Sequence, residues 1–212
     1  MIACKESYNE CARLLLAVEG IQVNEKDSKH STALMLASKY GHLATAQKDH
    51  ADIVKLLIQK NANVNMPNDN GTTPLLVESR RNHMECAELL LAVDDIDVNA
   101  MNNDGKTALT AAAYEGHEEM LSLLIDHGAN VNARADAVAI VRSKGKGVAG
   151  MTALMWAAHR GHSGCVRILM ENGADPNLRD ENGQTAEQMA AYDDDGEMDE
   201  ALRTRSLRLM GN

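Results

Sequence analysis

The sequence predicts an all-α solenoid of stacked helix-turn-helix repeats, and three observations carry that prediction. Two residue markers recur along the chain with one shared period, and large aromatic residues are almost missing. Among 212 residues there is no Phe, one Trp and four Tyr, so aliphatic side chains, Ala and Met must fill the interior. Because aromatic side chains bury the most area per residue, their scarcity favours many small helix-to-helix contacts over one large core.

The two markers are a Thr that precedes an apolar residue and an Asn that closes each repeat. The Thr residues are spaced by 41, 34, 45 and 33 positions, and the Asn residues by 41, 34, 33 and 45. Both series reduce to a period of about 33 with insertions. Two independent markers with one period indicate repeats that each contact only their neighbours. The members are Thr32, Thr73, Thr107, Thr152 and Thr185, together with Asn24, Asn65, Asn99, Asn132 and Asn177.

The period divides the chain into six repeats, which we expect to form one domain over residues 1–212. The first repeat begins inside its first helix, which we interpret as the start of a fragment of a longer array. The last repeat carries Glu187 where the others place a core Leu, and its charged final helix is predicted to cap the array against solvent. The approximate repeat ranges are 1–24, 25–65, 66–99, 100–132, 133–177 and 178–212.

The fourth repeat shows the predicted elements in order, beginning with a turn and a first helix. Asn103-Asp104-Gly105 predicts a tight turn with the positive φ that Gly tolerates. Thr107 follows as the N-cap of a first helix that runs to about Tyr114. Gly116-His117 then breaks that helix.

A second helix completes the repeat. It runs from Met120 to Asp126 with apolar residues at helical spacing. Gly128 ends this helix in the left-handed conformation. At helix ends that lack Gly, Asn82 and Asn61 stand in, because Asn tolerates left-handed geometry best after Gly.

These motifs resemble the ankyrin repeat over essentially the whole chain. The resemblance implies helical pairs joined by β-hairpin fingers, and protein partners met by the finger tips and the concave face of the first helices. The family's His after Thr-Pro-Leu is replaced here by Met35, Leu76, Thr110 and Met155, so we expect its hydrogen bond to the turn to be absent. The matching stretches are Asn70-Gly71-Thr72-Thr73-Pro74-Leu75, Asp104-Gly105-Lys106-Thr107-Ala108-Leu109, Gly161-His162 with Val166-Arg167-Ile168-Leu169, Gly128-Ala129-Asn130-Val131-Asn132, and Gly173-Ala174-Asp175-Pro176-Asn177.

Charge and composition exclude several classes of partner. The chain has 31 acidic and 21 basic residues, a net charge of −10 and a pI near 5.2. A nucleic-acid binder must neutralise several phosphates, and this balance offers no net attraction to nucleic acid or to an anionic membrane. The sequence shows neither a membrane-spanning apolar run nor a signal peptide. Four Cys do not suggest a disulfide scaffold. We expect a soluble, monomeric, cytoplasmic array, with a nuclear location left open.

The cysteine and histidine residues fall in repeated positions. Cys11, Cys86 and Cys165 occupy the slot that other repeats fill with Ile53 and Met120, so we interpret them as packing residues and not metal ligands. Four His residues each follow the break between two helices, which predicts hydrogen bonds between neighbouring repeats. They are His42, His83, His117 and His162.

No motif indicates catalysis, a cofactor or a metal. Lys144-Gly145-Lys146-Gly147 fails as a phosphate loop, because Ile140 and Gly147 stand where Gly and Ser or Thr are required. Glu78 stands where other repeats carry Ala, so its carboxylate is predicted to weaken the array unless Arg80 or Arg81 pairs with it. The chain is therefore predicted not to be an enzyme.

Partner contacts are predicted at outward-facing positions of the first helices. Four of the five aromatic residues fall there, and Tyr, Trp and Arg are the types enriched at binding hot spots. The alternative is that Trp156 packs under the neighbouring hairpin and the Tyr rings merely cover helix ends. Leu36, Val77, Ala111 and Met189 share the register of Trp156 and are expected to face outward as well. The predicted binding residues are Tyr40, Arg80, Arg81, Tyr114, Trp156, His159, Arg160 and Tyr192.

Two insertions interrupt the period. Residues 133–150 carry a local excess of positive charge at Arg142, Lys144 and Lys146, which we add to the predicted binding residues. The alternative is a floppy Gly-rich loop. The insertion near Leu43 to Asp49 is expected to lengthen the second helix by two turns or to loop out.

The sequence as a whole predicts a non-catalytic scaffold that binds a protein partner through the concave face of the array. The alternative is a regulatory or targeting segment of a larger multidomain enzyme, such as a protein kinase. A third reading, implied by the family resemblance, is that the closing Asn residues are hydroxylated by an oxygenase.

Overall fold

A computed structural model describes the backbone of residues 9–40, 47–134 and 150–190, and the side chains of 13–38, 51–134 and 150–190. It divides into two compact units, Met1–Ala100 and Met101–Asn212, here called the N-terminal and C-terminal units. The expectation of a single domain over 1–212 stays a prediction.

The helices that the structure describes in the N-terminal unit lie in two layers. The first-helix layer contains α2 (Ala33–Tyr40) and α4 (Pro74–Arg81). The second-helix layer contains α1 (Asn9–Leu16), α3 (Gln47–Gln59) and α5 (Met84–Leu91). Within each repeat the two helices also pack on each other, as α2 does on α3 and α4 on α5.

The C-terminal unit repeats this arrangement. Its first-helix layer contains α6 (Ala108–Glu115), α8 (Ala153–His159) and α10 (Ala186–Ala190), and α8 packs between the other two. Its second-helix layer contains α7 (Glu118–Asp126) and α9 (Ser163–Glu171). The predicted helical-repeat architecture is confirmed, and no helix among the described residues is long and apolar enough to cross a membrane.

Every Thr marker caps a first helix, as predicted. Each hydroxyl accepts a hydrogen bond from the backbone N–H three residues later, at 3.2 to 3.4 Å. A cap of this kind contributes about 1 kcal/mol. At three of the helices a side chain returns the bond: the backbone N–H of Thr107 donates to Thr110 Oγ1 at 2.8 Å, that of Thr152 donates to Met155 Sδ at 3.4 Å, and that of Thr185 donates to Gln188 Oε1 at 2.9 Å. These side chains occupy the position where the family carries its His.

Each described finger is a tight turn built around one Asn or Asp side chain. In the fourth repeat Asn102 Oδ1 accepts from the backbone N–H groups of Asp104 and Lys106, at 3.0 and 2.8 Å. Asp27, Asn68 and Asp180 do the same in their repeats. The described residues of the fingers form turns and bends without strands. The turn predicted at Asn103-Asp104-Gly105 is confirmed, and the side chain that organises it belongs to Asn102, which was not predicted to have this role.

The closing Asn residues connect neighbouring repeats. Asn65 Nδ2 donates to the carbonyl of Asp95 at 2.6 Å, while its Oδ1 accepts from the backbone N–H of Asp97 at 2.9 Å. Asn24 and Asn132 make the same pair of bonds to the loop of the following repeat. A carboxamide offers one acceptor and one donor group, so it can satisfy both backbone groups. The second sequence marker is therefore a link between repeats.

The predicted helix ends and core positions are confirmed where the structure describes them. Asn61 and Asn82 adopt positive φ angles of 59° and 57°, as stand-ins for Gly. Cys86 and Cys165 are buried, as are Ile53 and Met120 in the same slot, whereas the side chain of Cys11 lies outside the described residues. The earlier insertion lengthens a helix in part: α3 has 13 residues against eight in α5, and 41–46 lie outside the described residues.

Candidate functional site

An aromatic–cation cluster lies in the first-helix layer of the C-terminal unit. It consists of Lys106, Tyr114, Trp156, His159 and Arg160. The rings of Tyr114 and Trp156 meet edge to face, with centroids 5.1 Å apart and planes at 81°. The ring of His159 meets Trp156 in the same manner at 6.4 Å. Edge-to-face pairs of this kind contribute about 0.5–1.5 kcal/mol beyond their buried area.

Two cations lie over the rings of this cluster. Lys106 Nζ is 5.3 Å from the centroid of Tyr114 and 4.9 Å from that of Trp156. Arg160 Cζ is 4.7 Å from the centroid of Tyr114. Among the described residues, no carboxylate oxygen lies within 4.0 Å of the charged nitrogens of Lys106 or Arg160. The rings therefore hold two positive charges that no described acidic side chain pairs.

Local structure positions both sides of the cluster. Lys106 is held by its backbone N–H bond to Asn102 and stands directly before the Thr107 cap. Tyr114 lies in the last turn of α6, where its carbonyl accepts a hydrogen bond from His162 Nε2 at 3.1 Å. That bond joins two neighbouring repeats, as predicted for the His slot.

Gly116 makes the approach of His162 possible. It ends α6 with φ of +79°, and an added Cβ would lie 2.8 Å from the His162 ring. Both the left-handed backbone and the close contact therefore require Gly at this position. The imidazole fills the space that a side chain would need.

The structure corrects one expectation about the predicted binding face. Trp156 is only 6% exposed, so the prediction that it faces outward is wrong. It lies where α8 packs on the neighbouring first helices, and this contact buries its position in the repeat. The same reason corrects the outward orientation expected of Leu36, Val77, Ala111 and Met189, all of which are buried.

Other predicted binding residues are accessible or lie outside the described part. Arg80, His159 and Arg160 are exposed, while Arg81 and Tyr114 are half-buried. The side chain of Tyr40, together with Tyr192, Arg142, Lys144 and Lys146, lies outside the described residues.

Sequence reasoning missed Lys106. It stands immediately before the Thr cap, in the register of Ser31, Thr72, Met151 and Gln184, and it is the one cation in that series. Comparing the residues that precede the five Thr markers would have identified Lys106 as a candidate binding residue.

A buried polar pair lies in the N-terminal unit, away from any exposed surface. Glu78 is 0% exposed, and its Oε2 lies 2.7 Å from Nδ1 of His83, in a hydrogen bond. The expected partner was Arg80 or Arg81. The structure gives the carboxyl a hydrogen bond with His83, which lies beside it at the start of the next helix, and the charge of Arg81 also favours its ionised form.

Burial dominates the electrostatics of Glu78. Desolvation raises the pKa of its carboxyl, and hydrogen bonding by His83, the Ser38 hydroxyl and the charge of Arg81 act in the opposite direction. Ser38 Oγ and Glu78 Oε1 each lack a hydrogen bond of standard geometry. The Ser38 hydroxyl thus lies near enough to favour the ionised form of the Glu78 carboxyl, but it does not make a full hydrogen bond to it.

The described thiols have the character of packing residues. Burial raises the pKa of Cys165 to about 12, and it raises the pKa of Cys86 as well. Thiols of this kind stay protonated at neutral pH and are poor nucleophiles. No group of three His, Cys, Asp or Glu side chains converges on a metal-sized site within the described residues.

Stacked two-helix repeats, capped by Thr and linked through Asn carboxamides, define a helical repeat protein with an interaction surface. The chain belongs to the ankyrin repeat family. Family models described as "Ankyrin repeats (3 copies)" and "Ankyrin repeat" match residues 42–135 and 149–181. Members of this family are generally non-catalytic modules for protein–protein interaction.

Two curated relatives are similar over part of the chain. The ankyrin repeat and KH domain-containing protein mask of Drosophila melanogaster is 47% identical over 64 residues, which is 30% of this chain and 1% of that protein. The ankyrin repeat and KH domain-containing protein mask-1 of Caenorhabditis elegans is 35% identical over 92 residues, or 43% of this chain and 3% of that protein. The chain thus matches only a small fraction of either relative.

A solved structure is similar over almost the full length. The crystal structure of an ankyrin repeat domain from Acinetobacter baumannii AYE has a TM-score of 0.78 and 26% sequence identity. The match covers 97% of this chain and 96% of that one.

Proposed function

We propose that the chain is a non-catalytic scaffold that binds a protein partner through the first-helix face of its C-terminal unit. The observation that carries this proposal is the aromatic–cation cluster. Its two cations have no described carboxylate within 4.0 Å, and rings support them from one side. Arg and aromatic residues that are fixed in this way are typical of binding hot spots.

The basic insertion is proposed as an aid to binding. Arg134 Nε donates to the carbonyl of Gly150 at 3.2 Å, so the two ends of the insertion meet. Arg142, Lys144 and Lys146 lie in the segment between those ends. Replacing these three residues with Ser is expected to weaken partner capture less than replacing the cluster cations, which pull-downs with both variants would measure.

Affinity capture tests the role of the cluster. The immobilised chain and a Lys106→Ala/Arg160→Ala variant are each exposed to cell extract, and retained proteins are quantified by mass spectrometry. Arg167→Ala is the matched control, because Arg167 is an exposed cation on α9 of the same unit. We expect the wild type and the control to retain the same proteins and the double variant to lose them.

Retention of the same proteins by a folded double variant would overturn the assignment of this site. Trp156→Ala is unsuitable for the experiment, since this side chain is buried and its loss would disturb the fold. Circular dichroism of each variant checks that the helices remain.

A regulatory or targeting segment within a larger multidomain enzyme is the alternative proposal. It draws support from the curated relatives, of which the matched regions are only 1% and 3%. The names of these relatives describe KH-domain proteins and give no support to a kinase. Sequencing the full-length transcript would decide between a segment and a separate scaffold.

We also propose a cytoplasmic, monomeric protein without nucleic-acid partners, on the basis of its net charge of −10 and its few Cys residues. Imaging of a fluorescent fusion and light scattering would test location and oligomeric state. Hydroxylation of the closing Asn residues stays a prediction, which intact-mass measurement after oxygenase treatment would test.

A further inference from the structure

We propose that the aromatic–cation cluster recognises an acidic segment of its partner, a stretch of chain that carries Asp or Glu carboxylates. This inference rests on the proposed function and names the chemistry that the site selects. The acidic specificity is inferred from the groups of the cluster that remain available to a partner.

The rings of the cluster offer little free apolar surface. Trp156 is buried and Tyr114 is half-buried, and Lys106 Nζ lies over both rings, 4.9 and 5.3 Å from their respective centroids. Arg160 covers Tyr114 as well. The groups that face a partner are therefore the ammonium and guanidinium N–H donors, which accept nothing and require an anion or another acceptor.

The positive charge of the cluster is concentrated. Lys106 Nζ and Arg160 Cζ are 5.3 and 4.7 Å from the same Tyr114 centroid. Their separation is thus no more than about 10 Å, which is about the Debye length at 0.1 M salt. Glu115 follows Tyr114 on α6 and is exposed, and its carboxylate lies beyond 4.0 Å of both cations. Two like charges held this close repel each other, and a bound anion relieves the repulsion.

The rest of the chain favours a short anionic segment over a long polyanion. The net charge of −10 repels any partner that extends over the surface as a nucleic acid does. A peptide segment can bring a few carboxylates to the cluster alone. Carboxylates also form charge-assisted hydrogen bonds with both cation types, which are about twice as strong as neutral ones.

A peptide titration with the full chain tests this inference. The probe is a short peptide of alternating Glu and Gly, with matched peptides of Lys and Gly, of Ser and Gly, and of phosphoserine and Gly. The chain contains a single Trp, which lies in the cluster, so Trp156 fluorescence reports binding at this site. Anisotropy of labelled peptide gives an independent dissociation constant.

We expect saturable binding of the Glu peptide, which weakens as NaCl is added and is absent for the Lys and Ser peptides. Lys106→Gln/Arg160→Gln should weaken binding by at least about tenfold, equivalent to about 1.4 kcal/mol. Arg167→Gln, the matched control, should leave the dissociation constant unchanged.

Three results would overturn the inference: no saturable binding of the Glu peptide, equal binding by the double variant, or tighter binding of the phosphoserine peptide. Failure here is distinct from failure of the proposed function. If capture of cellular partners depends on Lys106 and Arg160 while the Glu peptide does not bind, the binding face stands and the acidic specificity is wrong. If capture is independent of both cations, the proposed function is wrong.

Discussion

His83 and His162 occupy the same position in two repeats, yet each has a different hydrogen-bond partner. His83, in the N-terminal unit, bonds to the buried carboxyl of Glu78 in its own repeat. His162, in the C-terminal unit, bonds to the carbonyl of Tyr114 in the preceding repeat. The residue five positions earlier differs: Glu78 in one repeat and Ala157 in the other. His83 makes its bond through Nδ1 and His162 through Nε2, so the two ring nitrogens of this repeat position serve different contacts, and the Nδ1 bond forms where the repeat supplies the Glu78 carboxyl.

We expect the largest loss of stability when His83, the hydrogen-bond partner of Glu78, is replaced. His83→Leu leaves a buried carboxyl without its hydrogen bond, and breaking such a pair costs about 3–5 kcal/mol. Urea unfolding followed by circular dichroism measures the loss, and hydrogen exchange is expected to place it in residues 74–91.

The double variant Glu78→Ala/His83→Leu is the control for this prediction. It gives the repeat the Ala that Ala112 and Ala157 provide elsewhere, so the part of the loss that comes from the buried, unbonded carboxyl is expected to return. Equal destabilisation of the single and double variants would show that the buried pair is not the cause.

Gly116 tests the contact between repeats that the second His makes. Gly116→Ala combines a left-handed backbone with a Cβ only 2.8 Å from the His162 ring. Gly128→Ala is the matched control, since its φ is +84° but nothing lies within 4 Å of the added Cβ. We expect a loss of about 1 kcal/mol from the left-handed strain alone at Gly128, and a larger loss at Gly116. Equal thermal shifts for the two variants would contradict the close packing of His162.

The stability of the repeat that contains Glu78 is expected to depend on pH through this carboxyl, unlike that of the repeat that carries Ala157 at the same position. Burial raises the pKa of Glu78 above its ordinary value of 4.5. Above 4.5 the folded state therefore binds more protons than the unfolded state, and stability falls as pH rises through the folded pKa. Below 4.5 the carboxyl is protonated in both states and this loss disappears.

Glu78→Gln is the control for the pH measurement, because an amide of the same shape does not titrate. The free energy of unfolding of the wild type minus that of the variant is expected to decrease as pH rises. The total decrease should be roughly 1.4 kcal/mol for each unit by which the folded-state pKa exceeds the unfolded one. Asp27 contributes with the opposite sign at lower pH, where backbone N–H bonds from Ser31 lower the pKa of its carboxyl, and it cancels in the difference. A flat difference curve would contradict the burial of a titrating carboxyl.

The smallest effect concerns the two described thiols. Cys86 and Cys165 are buried in the same slot of the two units, and burial raises the pKa of both. In a variant that carries Ser at Cys4 and Cys11, a disulfide reagent is expected to react only after denaturant is added. Rapid labelling of the native variant would show that this slot is open in one of the units.

Much of the fold could be predicted from sequence because its determinants are local. Thr73 and Thr107 cap helices through bonds to residues three positions later, and Asn82 ends a helix by its own backbone preference. The Cys slot was equally readable, since Cys86 and Cys165 share a register with apolar residues. Each of these signals lies within one repeat and recurs in the next.

The site was predicted less well because its contacts join different repeats. Tyr114 and Arg160 are among the predicted binding residues and lie in the cluster, whereas Lys106 is not among them and Trp156 is buried rather than outward-facing. Lys106 and Trp156 are separated by 50 positions, and only stacking of successive repeats brings them to within 4.9 Å.

The sequence by itself determined the period, the helix caps, the turn positions and the identity of the packing residues, because hydrogen bonds within a few residues and helical periodicity fix them. The tertiary structure decided which partner each repeated side chain finds. His83 meets a carboxyl and His162 meets a carbonyl, although both stand at the same place in the repeat. The physical reason is that packing brings these partners together: the Tyr114 carbonyl comes from the preceding repeat, and the Glu78 carboxyl meets His83 where the two helices of one repeat pack on each other.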